Sequence, residues 1–158
     1  MLLGVTYPMM SQDPIMLSEV VIRGTNYQYL NATNYTEAIV PVYILEREAA
    51  RFSVAGRDIF VDEYGTFSVA FHIPEGKVVA VYNEDGKILK TIERYVNPNL
   101  PSPVVYALHE QFPDWEIVHD VYHVQYAEDY GAEKFFMVNL KKDGKFMKVK
   151  VDKVGTFM

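Results

Sequence analysis

The amino-acid sequence predicts an α+β fold of two tandem units, each a helix followed by an antiparallel sheet in an αβββ or αββββ arrangement. Two amphipathic helical segments each open with a proline, alternating apolar residues follow both of them, and turn signals recur at matching places after each helix. Aromatic residues make up 14% of the chain, with 12 tyrosines and 9 phenylalanines, and these residue types favour half-buried sheet.

Residues 1–35 are predicted to form an N-terminal arm that carries one strand, at residues 17–22. Residues 1–12 are apolar but lack a basic n-region, so they fit either the remnant of a secretion signal, no longer intact, or a loose arm. A polar, tyrosine-rich segment follows at residues 25–35. No helix is predicted for this part of the chain.

The first unit is predicted over residues 36–96. Its helix spans residues 41–52 and opens with Pro41, whose fixed φ suits a first helical turn. An extended stretch at residues 58–61 and an acidic turn lead into a strand in which Phe67, Val69 and Phe71 alternate with smaller or polar residues. Two further turns follow, at residues 75–77 and 84–87, each with a carboxylate before a glycine. Gly76 is expected to supply the positive φ of a tight turn.

A proline-rich connector is predicted at residues 97–103, and the second unit at residues 104–158. The second helix covers residues 102–112, with Ser102 as the expected N-cap. Strand and turn signals then follow in the same order as in the first unit, although few aligned residues are identical. They include a predicted tight turn at Asp143 and Gly144. The alternative is that an ordinary αβββ order arises without repetition.

Residues 38–158, and the second unit above all, resemble the PepSY-like domains of bacterial envelope proteins. The resemblance is carried by a Phe-Pro-Asp-Trp step at residues 112–115, by Tyr126, and by a final turn at residues 152–155. The first unit departs from it, since Phe52 is kept but the proline and tryptophan are not. The family is similar in fold to the β-lactamase inhibitor protein. The resemblance of the chain to this family implies a periplasmic or secreted location, a binding or inhibitory role, a buried Trp115 and no catalytic residues.

Composition argues against several classes of function. The chain has no cysteine, which excludes disulfides and thiolate metal sites. A net charge of −6 without a long basic run argues against a nucleic-acid partner. No apolar run approaches the roughly 18 residues of a membrane span. Because P-loop, G-x-G-x-x-G and G-x-S-x-G patterns are absent, the sequence predicts no catalytic residue and no cofactor.

Two patterns could suggest a metal site. His119 and His123 have ligand-like spacing on a helix, but on a strand residues four apart are separated by about 13 Å, so surface histidines are predicted. The paired carboxylates at residues 62–63, 84–85 and 128–129 lack the alternating ligands of a calcium loop, and they are predicted to be solvated turn residues.

The strand at residues 145–151 supplies the candidate partner-binding face. Phe146, Lys148 and Lys150 point to one side of it, and apolar residues point to the other. Aromatic anchors beside lysines are typical of protein interfaces. The alternative is a solvated outer face whose lysines discourage edge-to-edge aggregation.

The sequence therefore predicts a noncatalytic binding or inhibitory module of the bacterial cell envelope. Its helices should cover one face of the sheet and leave the other face to a protein partner. The helix faces expected to pack on the strands are those that carry Ile44 and Leu45, and Val105 and Leu108. Two alternatives stay open: a small enzyme with a site built from dispersed residues, and a homodimeric structural or sensor module.

Overall fold

The computed structural model describes Gly24 and residues 26–158, which contain three α-helices and one six-stranded sheet. The helices are α1 (Tyr27–Ala32), α2 (Val40–Arg51) and α3 (Ser102–Gln111). The strands are β1 (Thr66–Ile73), β2 (Gly76–Asn83), β3 (Ile88–Val96), β4 (Glu116–Ala127), β5 (Gly131–Lys142) and β6 (Lys145–Val151). The strand predicted at residues 17–22 and the apolar segment at residues 1–12 lie outside the described residues.

The sheet is a meander in which every strand pairs antiparallel with the next. Strands β3 and β4 are neighbours although α3 lies between them in the chain, so a single sheet contains all six strands. The predicted α+β class with an antiparallel sheet is confirmed. Residues 58–61 belong to the loop between α2 and β1 and add no further strand.

Helices α2 and α3 each pack on the sheet through a narrow stripe. The buried residues of α2 recur at intervals of three and four: Val42, Leu45, Glu46, Ala49 and Ala50. In α3 they are Val104 and Leu108. The sequence pattern also assigned Ile44 and Val105 to the packed faces, but Ile44 is exposed and Val105 is half-buried, because each lies one step around the helix from the stripe.

Helix α3 begins at Ser102, the residue that was predicted to be its N-cap. Pro101 holds the N-cap position with extended backbone, at φ −58° and ψ 144°, so Ser102 lies in the first turn. No side chain caps this helix. The prediction of Ser102 as N-cap was therefore wrong, since the proline before it already fixes the entry of the chain.

Two apolar clusters lie on the same side of the sheet. The larger is covered by α1 and α2, the smaller by α3, and Tyr122 of β4 packs against both. Trp115 belongs to the second cluster but stays half-buried, so its predicted burial is only partial.

The turn glycines serve two different purposes. In the β5–β6 hairpin, Asp143 and Gly144 have φ values of 49° and 75°, as predicted for a tight turn. Gly76 does not have positive φ, contrary to the prediction. A Cβ atom built on Gly76 would lie 2.4 Å from Cδ1 of Tyr95, its partner on β3. Glycine is required here because the tyrosine ring packs directly on the backbone.

Replacing Gly76 with alanine should therefore destabilise the protein by about 1–3 kcal/mol, because the Tyr95 ring must move out of its place. The measurement is the free energy of unfolding in urea. Gly144→Ala is the matched control: its Cβ meets no atom within 4 Å, so only the strain of positive φ remains, costing about 1 kcal/mol. A smaller loss for Gly76→Ala than for Gly144→Ala would contradict this account.

Candidate binding face of the sheet

The face of the sheet opposite the helices is not covered by any helix among the described residues. Because side chains alternate along a strand, this face carries the residues between those of the core. Lys77 on β2, Arg94 on β3, His123 on β4 and Phe135 on β5 stand opposite one another in a row across four strands. We call this surface the open sheet face.

Basic residues predominate on the open sheet face. Its ladder positions hold six basic side chains and two acidic ones, although the whole chain has a net charge of −6. The basic residues are Lys77, Lys90, Arg94, Lys141, Lys148 and Lys150, and the acidic ones are Glu116 and Glu133. The protein is therefore electrically asymmetric, with positive charge gathered on one exposed surface.

An aromatic stack lies at the centre of this face. The ring centroids of His123 and Phe135 are 5.0 Å apart with an interplanar angle of 16°. The ammonium of Lys150 lies 3.9 Å from the centroid of Phe135 and forms an ion pair of 2.9 Å with Glu133. Phe135 is buried beneath these neighbours. The three side chains of the stack come from three neighbouring strands. Their relative positions are therefore fixed by the hydrogen-bonded sheet and not by a mobile loop.

Burial is the main cause of a lowered pKa at His123, and the nearby positive charges of Arg94 and Lys150 lower it further. The imidazole is therefore neutral at pH 7 and stacks on Phe135 without adding charge. The positive charge of the open sheet face at neutral pH comes from lysine and arginine alone.

A depression of about 500 Å³ lies beside the stack on the same face. Val79, Val81 and Ile92 are among its apolar lining residues, and Ile92 is 64% exposed. Lys90 and Glu133 are among its other lining residues. It offers an apolar contact surface with charged groups around it.

The three residues singled out from the sequence all lie on the open sheet face. Phe146 is 70% exposed, and the ammonium of Lys141 lies 5.8 Å from the centroid of its ring. Lys148 stands opposite Asn139, and Lys150 contacts Phe135 as described above. The structure thus places these residues on the same face as Lys77 of β2 and Lys90 and Arg94 of β3, which the sequence pattern had not indicated.

Two of the carboxylates in turns accept hydrogen bonds from the backbone of their own turn. The Oδ1 atom of Asp62 accepts hydrogen bonds from the backbone N–H groups of Tyr64 and Thr66, and these bonds lower its pKa. Asp152 caps an equivalent turn and its pKa is also lowered. Within the part of the chain that the structure describes, no group of three or more potential ligands is arranged to hold a metal ion.

No protein-family model matches the chain, and no curated protein matches it significantly. Over residues 26–158, no helix combines the length and the apolar character that crossing a membrane requires.

The positive surroundings of His123 give a testable prediction. Replacing Lys150 with glutamine should raise the pKa of His123 towards its ordinary value, because one of the nearby positive charges is removed. The measurement is an NMR titration of the imidazole. Lys148→Gln on the same strand is the control, since Lys148 is not among the groups that lower this pKa. Equal shifts in both variants would contradict a local effect of Lys150.

Proposed function

We propose that the protein is a noncatalytic binding module that docks an acidic protein surface on its open sheet face. The observation that carries the proposal is the gathering of six basic side chains on one exposed face of an acidic protein. Such a charge distribution attracts a partner of opposite sign and disfavours neutral or basic ones.

Affinity on this face would come mainly from apolar anchors. Exposed ion pairs contribute about 0–1 kcal/mol each, so the lysines set orientation and association rate more than affinity. Phe146 and Ile92 are large exposed apolar side chains at separate places on the face. An aromatic or aliphatic side chain of the partner fits the depression beside Ile92. The partner is therefore a carboxylate-rich surface with an apolar residue at its centre.

The proposal retains the tandem PepSY-like architecture and the periplasmic or secreted location that the sequence resemblance implies. The support for the tandem arrangement is the element order, in which α2 and α3 are each followed by three strands. Both helices pack on the same face of the sheet, which leaves the other face for docking.

The test is a selection of random phage-displayed peptides on the wild-type protein. We expect the enriched peptides to combine Asp or Glu with an aromatic or aliphatic residue and to bind more weakly as salt increases. For one such peptide, the double substitution Lys148→Gln and Lys150→Gln should weaken binding about tenfold. Phe146→Ala should have an effect of similar size.

Two control variants match these changes on the helix-bearing side. Lys142→Gln with Lys153→Gln removes the same amount of charge, and Tyr106→Ala removes an aromatic side chain that is 67% exposed on α3. Both should leave binding within about twofold. Enriched peptides without acidic residues, or equal losses in test and control variants, would overturn the proposal.

A further inference from the structure

Two glutamates meet inside the core, in a place the proposed function does not use. Glu46 lies in the middle of the buried stripe of α2, and Glu93 lies on the helix-bearing side of β3. Both residues are 0% exposed. Carboxyl groups are rarely buried so completely unless they are paired or protonated, so their surroundings decide their charge.

The carboxylate of Glu93 is well provided with donors. Its Oε1 atom accepts hydrogen bonds of 2.8 Å from the hydroxyls of Tyr29 and Thr91, and its Oε2 atom accepts one of 2.8 Å from Tyr95. Three hydroxyl donors favour the ionised form of a carboxyl group. Burial holds the pKa of Glu93 above its ordinary value, and the three hydroxyl donors lower it part of the way back. With these donors, Glu93 is the member of the pair equipped to carry a negative charge.

Glu46 is in the opposite situation. Both of its carboxyl oxygens are buried without any hydrogen-bond partner. An ionised Glu46 would add a second negative charge beside Glu93 in an apolar setting, which is a costly arrangement. Glu93 is within hydrogen-bonding reach of Glu46, so a proton on Glu46 removes that charge and can be shared with the Glu93 carboxylate.

The other groups around the pair are consistent with a single negative charge. Tyr29 faces it from α1, Tyr95 from β3 and Tyr122 from β4, and each of these phenols has a raised pKa because of burial and the nearby carboxyl groups. The cation is Lys134 on β5, whose ammonium donates to the backbone carbonyl of Thr33 at the end of α1. Burial lowers the pKa of Lys134, and the charge of Lys153 lowers it further, whereas the charges of Glu46, Glu93 and Glu37 raise it.

We propose that Glu46 and Glu93 form a proton-binding site that holds one proton, on Glu46, at neutral pH and thereby fastens α1 and α2 to the sheet. With that proton in place, the ionised Glu93 and the charged Lys134 balance each other. Without it, two buried carboxylates face one lysine. Rising pH therefore loosens the layer of helices over β1–β3.

The direction of the pH dependence follows from linkage. Burial, then the charge of Glu93, raises the pKa of Glu46 from 4.5 to about 9. The folded protein thus keeps a proton that the unfolded chain has lost. The stabilisation is complete below pH 4.5 and falls away as pH rises towards 9. Between these pH values the folded state binds one more proton than the unfolded state, so the unfolding equilibrium constant rises roughly tenfold per pH unit.

The experiment is urea unfolding of the full chain between pH 7.5 and 8.5, a range above the ordinary pKa values of carboxyl and histidine side chains and below that of tyrosine. We expect the unfolding equilibrium constant of the wild type to rise about tenfold over this range. Glu46→Gln mimics the protonated side chain, so its constant should change by less than about twofold. A wild-type constant that does not change with pH would overturn the proposal without recourse to any variant.

The matched control is Glu48→Gln, because Glu48 is an exposed glutamate on the same helix. It should keep the wild-type pH dependence.

If Glu46→Gln does not fold, the wild type still provides an independent test by NMR of its glutamate carboxyl carbons. One glutamate signal should titrate above pH 8, and the absence of such a signal would refute the proposal. Amide exchange at pH 8.5 should increase in α1 and α2 before β4–β6, and uniform exchange would contradict the role given to the helices.

Discussion

The hydrogen bonding of the Glu93 carboxylate is the constraint on which much of the structure depends. A buried charge is tolerated only where donors replace the water it has lost, and here the donors come from Tyr29, Thr91 and Tyr95. Tyr29 can reach Glu93 only if α1 lies across the sheet. The Tyr95 ring that reaches Glu93 occupies the space where a side chain on Gly76 would lie. One carboxylate is thus tied to the position of a helix and to the glycine at the start of β2.

The short helix α1 is fastened at both ends to distant parts of the chain. The amide of Asn26 donates to the carbonyls of Ala50 and Gly86, and its oxygen accepts from the backbone N–H of Ile88. At the other end, Lys134 donates to the carbonyl of Thr33. A helix of six residues has little stability of its own, so these contacts and the Tyr29–Glu93 bond account for its presence.

The sequence pattern predicted those elements that depend on interactions between residues close together in the chain. The two long helices, the alternation in β1 and the hairpin at residues 143–144 follow from proline, periodicity and turn chemistry, which act over a few neighbouring residues. Helix α1 escaped prediction because its residues are polar and tyrosine-rich, and only contacts with residues far along the chain make it helical. The role of Gly76 escaped for the same reason, since its partner Tyr95 belongs to another strand.

Some residues of the carboxyl pair and of the open sheet face could also be predicted from the sequence. Glu46 occupies an apolar position of the α2 stripe, and such a mismatch is a signal of a buried polar group. Phe146, Lys148 and Lys150 were found because they alternate within one strand. Their partners Arg94, Lys77 and Lys90 required the register of the sheet, which no single strand contains.

The two faces of the sheet are tied together by that register. Glu93 and Arg94 are successive residues of β3, so one points into the core and the other outward. A slip of β3 by one residue would bury Arg94 and expose Glu93. The buried hydrogen bonds of Glu93 oppose such a slip, because no other register brings a carboxylate beneath Tyr29. The core network therefore maintains the basic pattern on the open sheet face, even though none of its atoms lies on that surface.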